Sequence, residues 1–167
     1  MKSIDQSEIT VGLWQQNDIP EVLALMQQLA RFEGYDNQFN VTEQELLERG
    51  FGENIQFDCI VARLSRAGVS TKQGAIVGYA VLVYTPFTYD LKPAATLKEF
   101  LVADGMRGLG IGRQLFTALQ THCRAQGVER LSWLVLQGNK AAECFYQDQG
   151  GGLSAQWLLY EKTLAHC

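Results

Sequence analysis

The sequence has no pair of cysteines at metal-ligand spacing. Its four cysteines, Cys59, Cys123, Cys144 and Cys167, lie far apart among 167 residues. That scatter argues against a CxxC zinc site and fits reduced thiols in a reducing cytosol better than a disulfide framework. The two histidines, His122 and His166, are also isolated, so no metal is expected. Basic charge is scarce. Fourteen Lys and Arg stand against 18 Asp and Glu, a net charge of −4. A general nucleic-acid binder needs a basic face, and none is on offer. The longest apolar run, Ala75 to Tyr84, is too short to span a bilayer, and residues 1–10 carry no signal-peptide core. A cytoplasmic protein with neither membrane nor nucleic-acid partner is expected. Repeats and low-complexity tracts are missing too. With 47% apolar and 19% charged residues the chain has the composition of a globular protein, not a disordered one. Its length suits one domain, residues 1–167, around a single core.

Periodicity supplies the elements. Ile9 to Trp14 reads as a strand. Asp18, Pro20 and Glu21 make a helix start, with Asp18 as the capping side chain. Val22, Leu25, Met26 and Leu29 then repeat at helical spacing. Thr42 and Glu45 form a capping box for a short second helix that Gly50 closes. Phe57 to Arg63 and Ala75 to Thr85 are strands joined by the polar loop Ser65 to Gly74, and Thr96 to Ala103 is a further strand. Gly110 to Gln126 is a helix stopped by Gly127, and Arg130 to Leu136 a strand. Asn139 to Gln149 is a helix stopped by Gly150, and Ala155 to Leu164 a last strand. Elements alternate only in the second half. The fold class is therefore α/β (α+β), with a mixed sheet instead of a fully parallel one.

Arg107-Gly108-Leu109-Gly110-Ile111-Gly112-Arg113 follows a strand and opens a helix. Glycines let the backbone approach a ligand closely, and the first N–H groups of the helix converge on one spot that suits a diphosphate. Arg107 and Arg113 are placed to add charge-assisted contacts. A turn of this composition also serves plain helix–strand packing. The spacing is GxGxG, and the next strand runs on to Gln137 with no acid to hold a ribose, so a Rossmann site is a poor match. No Gly-Lys-Ser/Thr follows, which excludes a P-loop.

A second motif follows: Asn139-Lys140-Ala141-Ala142-Glu143-Cys144-Phe145-Tyr146, running to Gly150. Together the two segments resemble the GNAT superfamily of acetyl-CoA-dependent N-acetyltransferases, whose patterns are Q/R-x-x-G-x-G/A and N-x-x-A-x-x-F-Y-x-x-x-G. Leu29 to Glu33, Thr42 to Glu53, Cys59 to Ala62, Ile76 to Gly78 and Glu99 to Val102 are similar to the diamine (spermidine/spermine) acetyltransferase branch. The likeness runs from Ile9 to Lys162.

The resemblance implies a mostly antiparallel sheet with helices on both faces and a splayed central strand pair. It implies acetyl transfer from acetyl-CoA to a primary amine of a small molecule, diamine-, polyamine- or amino-acid-like, by direct attack in a ternary complex. A homodimer is implied as well. Main-chain groups of Phe100, Leu101 and Val102 would pair with the pantetheine arm. Backbone N–H groups of Gly108, Leu109, Gly110, Ile111, Gly112 and Arg113 would hold the diphosphate. Asn139 would contact the arm, and Ala142 would be small enough to let it pass; ordinary helix propensity also explains an alanine there. Tyr146 matches the general acid, since a phenol has a reference pKa near that of the departing thiol. Phe32 and Glu33 stand where relatives hold the substrate, at one end of an acidic stretch with Asp36, Glu43, Glu45, Glu48, Glu53 and Asp58.

Two departures bear on the acceptor. Where the branch has its glutamate base, an ungapped alignment gives Lys98, which repels a cation. Glu99 matches a second acid and is the candidate base, directly or through water. A regular strand would point it to the opposite face from Lys98, and a bulge would change this. Near the end, 150–156 is shorter and uncharged compared with relatives. Two other readings stay open: a protein- or peptide-modifying acetyltransferase, and a non-catalytic acyl-CoA-binding module. His122 and His166 are explained by surface or terminal positions, Cys144 by a small buried thiol, and Trp133 and Trp157 by the core.

Overall fold

The computed structural model describes residues 8–65 and 74–164. Most of the expected loop from Ser65 to Gly74, with His166, Cys167 and the first seven residues, lies outside them. The chain divides into two units, 1–134 and 135–167.

The first unit holds a five-stranded sheet in the order β1 (Ile9–Leu13), β2 (Asp58–Leu64), β3 (Ala75–Thr85), β4 (Ala94–Val102), β5 (Arg130–Trp133). All pairs are antiparallel except β4 with β5, which is parallel. Helices α1 (Ile19–Glu33) and α2 (Glu43–Phe51) cover one face. Val22, Leu25, Met26 and Leu29 of α1 and Leu46 of α2 are buried there with Cys59, Val61, Tyr79, Val81 and Leu101. Each large aliphatic side chain so buried contributes about 1.5–3 kcal/mol of gross transfer free energy. The other face carries α3 (Ile111–Ala125), with Ile111 against Ile9, Ala62 and Val77. Phe116 of α3 stacks edge-on with Phe100 at 6.1 Å and Trp133 at 5.8 Å.

Two helix-end expectations need correction. The helix begins after Asp18, but its carboxylate does not cap α1. It accepts from the Gln15 N–H at 2.6 Å and forms a bidentate pair with Arg63 of β2, both side chains being nearly buried. Gly50 does not close α2; it lies inside the helix, and Gly52 follows the last turn. A Cβ at Gly50 would stand 2.3 Å from a Trp14 ring carbon, so it is packing that demands glycine here. At the start of α2 the Thr42 hydroxyl accepts from the Glu45 N–H at 3.2 Å, as expected. The Glu45 carboxylate binds Arg49 instead of reaching back to complete the box.

β4 carries the feature that positions the site. Val81 of β3 faces Glu99, and Leu82 faces Leu97, leaving Lys98 as an extra residue in a β-bulge. The ladder with β5 ends there as well: Ala94 to Leu97 pair with Arg130 to Trp133, and no register partner continues it. The expected strand to Leu136 therefore stops at Trp133. Beyond Leu97 no register pair with β5 is formed among the described residues.

The second unit contains α4 (Lys140–Asp148). The Asn139 side chain caps it, accepting from the Ala142 N–H at 3.1 Å. Gly150 closes it at φ +84. The strand expected over 155–164 is not formed. Trp157, Leu158, Leu159 and Tyr160 are four consecutive apolar residues without the alternation of a half-buried strand. Among the described residues no ladder partner engages them, and all four are exposed. Trp157 is thus not core, and Cys144 is exposed instead of buried. No described helix is long and apolar enough to cross a membrane.

Candidate active site

In a classic bulge the extra residue and its neighbour project to the same side of the sheet. Lys98 and Glu99 both line a cavity of about 640 Å³ under α1 and α2. Its walls include Met26, Leu46, Phe57, Val81 and Val83, with Glu45, Arg49 and Gln56 as further polar groups. Of the two arrangements open for Lys98 and Glu99, β4 adopts the bulged one.

Glu99 is the electrostatic centre of this cavity. Its carboxylate accepts a hydrogen bond from the Tyr79 hydroxyl at 2.8 Å. Burial raises its pKa above the usual carboxylate value. Glu33 raises it further, while the Tyr79 bond and the Lys98 charge pull it down. Glu33, at the end of α1, is also raised by partial burial. Tyr35 is pushed up to about 12 by burial and by Glu99 and Glu33. Tyr79 lies far above the tyrosine value, first through burial and then through Glu99. Glu99, Glu33, Tyr35 and Tyr79 therefore share one electrostatic neighbourhood. Phe32, beside Glu33, is half-exposed and lies under the Arg107 guanidinium, 5.9 Å from its ring centroid.

Beyond β4 the chain enters the glycine turn. Gly105, Gly108 and Gly110 all take positive φ, between +77 and +80. That conformation suits glycine and is costly for other residues. A Cβ at Gly105 or Gly108 would meet nothing within 4 Å, so the backbone there is open to an approaching group. Gly110 is the N-cap of α3 and accepts from the Gln114 N–H at 3.1 Å. The N–H groups of Ile111, Gly112 and Arg113 precede the first intrahelical bond and point out of the helix end. Arg107 is held back, donating to the Val102 carbonyl at 3.2 Å and pairing with Asp104 at 3.1 Å. Arg113 is exposed. The N–H groups at the start of α3 form the kind of helix N-terminus that suits a diphosphate.

In the second unit Tyr146 is half-buried on α4, with its ring 5.3 Å from that of Phe145. Ala142, one turn earlier, is also half-buried.

Sequence reasoning missed Tyr79 and Tyr35. Tyr79 had a readable signal: a tyrosine among aliphatic strand residues needs a partner for its hydroxyl. It also missed a cluster on the α3 face. His122 is not isolated; its Nε2 lies 2.6 Å from Asp58, which also accepts from the Tyr84 hydroxyl at 2.9 Å. Asp58, counted with the acidic stretch in the sequence, is thus engaged by His122 and Tyr84. Within the acidic stretch Glu45 is engaged by Arg49, and Glu48 accepts from Gln44 at 2.5 Å. Among the described residues no group of three or more acidic, His or Cys side chains could hold a metal ion.

Known proteins place the chain. The model of the Acetyltransferase (GNAT) family matches residues 25–150. A thialysine N-epsilon-acetyltransferase from Mus musculus is 27% identical over 81% of this chain and 79% of its own length. A spermidine/spermine N(1)-acetyltransferase-like protein 1 from Homo sapiens is 30% identical over 86% of this chain but 21% of its own. Among solved structures, an aminoglycoside acetyltransferase from an uncultured soil metagenomic sample, in complex with sisomicin, superposes with a TM-score of 0.76 at 19% identity. That match covers 95% of this chain and 98% of the other, and supports the fold. The chain belongs to the acetyltransferase (GNAT) family and is an acetyl-CoA-dependent N-acetyltransferase.

Proposed function

We propose that the acceptor is a primary amine of a small molecule, diamine-, polyamine- or amino-acid-like, and that it attacks acetyl-CoA directly in a ternary complex. The observation that carries this reading is Glu99, a carboxylate opposite Val81 in the wall of a cavity of small-molecule size, its proton affinity raised by burial. An amine arrives as an ammonium and has to lose a proton before it attacks. An ordinary carboxylate is a weak acceptor for that proton, and burial makes Glu99 a stronger one. The Tyr79 hydroxyl fixes which oxygen faces the cavity. Phe32 and Glu33 flank the acceptor side, and Glu33 adds a second negative charge that draws a cation in.

Bound acetyl-CoA supplies an activated thioester. The main-chain groups of Phe100, Leu101 and Val102 would take its pantetheine arm. The N–H groups from Gly108 through Leu109, Gly110, Ile111 and Gly112 to Arg113 would take its diphosphate. Tyr146 is assigned the acid, its phenol protonating the departing thiolate in place. Asn139 sets the start of the helix that carries it, and Ala142 keeps that face small. That the mouse relative is named for thialysine and the structural neighbour holds sisomicin supports an amine of this kind. A cytoplasmic homodimer, implied by the same branch, completes the reading.

Release of free CoA across a panel of small primary amines tests the proposal, with mass spectrometry of lysine peptides alongside. Turnover on small amines is expected. In Tyr146→Phe it should fall about 100-fold or more while calorimetric affinity for acetyl-CoA is kept. Acetylation of peptides alone would turn the reading to a protein-modifying enzyme. Thioester binding with no turnover would leave an acyl-CoA-binding module.

A further inference from the structure

The cavity beside Glu99 is not uniformly acidic, and its charges sort into two classes. Arg49 and Glu45 neutralise each other, and Arg49 also donates to Gln56 at 2.9 Å. That leaves one carboxylate, Glu99, and one ammonium, Lys98, facing the same space. Glu99 is occupied on one side by Tyr79. Among the described residues no carboxylate lies within ion-pair distance of Lys98, whose side chain is exposed. The bulge is what puts both residues on this face, because an unbroken strand alternates its side chains.

A site built this way is a poor host for a substrate that is cationic at both ends. The amine end is drawn to Glu99 and Glu33, but a second ammonium in the same cavity meets Lys98. An acceptor with an amine at one end and a carboxylate at the other satisfies both charges. Building on the small-amine reading above, we propose that Lys98 is a specificity residue that binds an anionic end of the acceptor, so that the substrate class is a short ω-amino carboxylate and not a polyamine. Lys98 is compact and mobile on its four-carbon stem, so it adapts to acceptors of differing length. It acts by discrimination as much as by affinity, since the same charge that binds the carboxylate rejects the second ammonium.

Three six-carbon amines separate these effects: 6-aminohexanoate, hexylamine and 1,6-diaminohexane. The readout is kcat/KM from CoA release, with acetyl-CoA affinity by calorimetry as a check that each variant is folded and competent. The wild type should prefer 6-aminohexanoate to 1,6-diaminohexane by about tenfold or more, with hexylamine between. Lys98→Met should remove most of that preference, and Lys98→Glu should reverse it. A wild type that prefers the diamine, or a Lys98→Met variant that still favours the carboxylate, overturns the inference. Equal use of all three amines overturns it too while sparing the small-amine reading. If the wild type binds acetyl-CoA yet acetylates none of the three, the inference falls, and the wider amine panel decides the small-amine reading separately.

Discussion

Replacing Tyr79 by phenylalanine isolates the group that is assigned the first proton transfer. The ring stays in the core while the 2.8 Å hydrogen bond to Glu99 is lost. That bond favours the ionised carboxylate and lowers its pKa, against the burial that raises it. A hydrogen bond to a charged group is worth about 1.5–3 kcal/mol, and about 1.4 kcal/mol corresponds to one pH unit. The Glu99 pKa should therefore rise by about one to two units, nearer one where cavity water takes the vacated place. Glu99 accepts a proton only when ionised, so activity falls as pH drops through its pKa. The assay is the pH profile of kcat/KM from CoA release, and the acid limb of Tyr79→Phe should sit about one unit higher than that of the wild type. Tyr79 itself titrates far above the working range, so it does not compete as the base. Stability follows the same sign. A folded pKa above the unfolded one gives a contribution present below the unfolded value and lost as pH rises through the folded value. The Tyr79→Phe variant should lose that contribution over a window reaching higher pH. An acid limb that stays put in Tyr79→Phe, or that survives in Glu99→Gln, would refute the assignment of Glu99.

Gly50→Ala should destabilise the fold by about 1–2 kcal/mol. The new Cβ meets the Trp14 ring at 2.3 and 2.9 Å, and overpacking outweighs the helix-propensity gain of alanine; a thermal midpoint at or above wild type would count against that packing. Asp18→Asn leaves the nearly buried Arg63 guanidinium without its anion and should cost about 3 kcal/mol in urea unfolding. A cost under about 1 kcal/mol would mean that the pair is effectively solvated. Gly108→Ala meets no steric neighbour but forces alanine to φ +78, so a loss of about 1 kcal/mol is expected, along with weaker acetyl-CoA binding in calorimetry. Gly152→Ala, with open space and ordinary φ, serves as its neutral control.

Local signals made much of this fold legible. The stripe Val22, Leu25, Met26 and Leu29 is the buried face of α1, and the bounds of β3 agree with the apolar run that announced it. Gly127 and Gly150 stop their helices at positive φ because an αL residue ends a helix wherever it falls. What escaped was set by partners distant in sequence. Asp18 looks like a cap because a cap is read from its neighbours, yet its charge is claimed by Arg63, 45 residues away. His122 looks solitary until α3 lies over β2 and β3 and brings Asp58 and Tyr84 to it. Gly50 looks like a terminator until Trp14 fills the space above it.

The candidate site follows the same division. The glycine turn and the α4 motif are contiguous in sequence, so they can be read directly as strings. Glu99 and Lys98 are adjacent in sequence, but their shared face depends on an irregularity in β4. No propensity marks a bulge in Ala94 to Val102, because the extra residue is defined only by its register against β3. The bulge turns a lysine and a glutamate to one cavity, and it falls where the ladder with β5 ends, just before Phe100, Leu101 and Val102. On the proposed reading, a single inserted residue then stands between the acceptor side of the site and the thioester side. Deleting Lys98 should restore a regular ladder while leaving Glu99 opposite Val81 on the cavity face, so any fall in acetyl-CoA affinity and turnover together would come from loss of the irregularity and not from loss of the base. Lys98→Met, which keeps the bulge, should spare acetyl-CoA affinity. Loss of turnover in the deletion variant with full acetyl-CoA affinity would show that the two sides are independent.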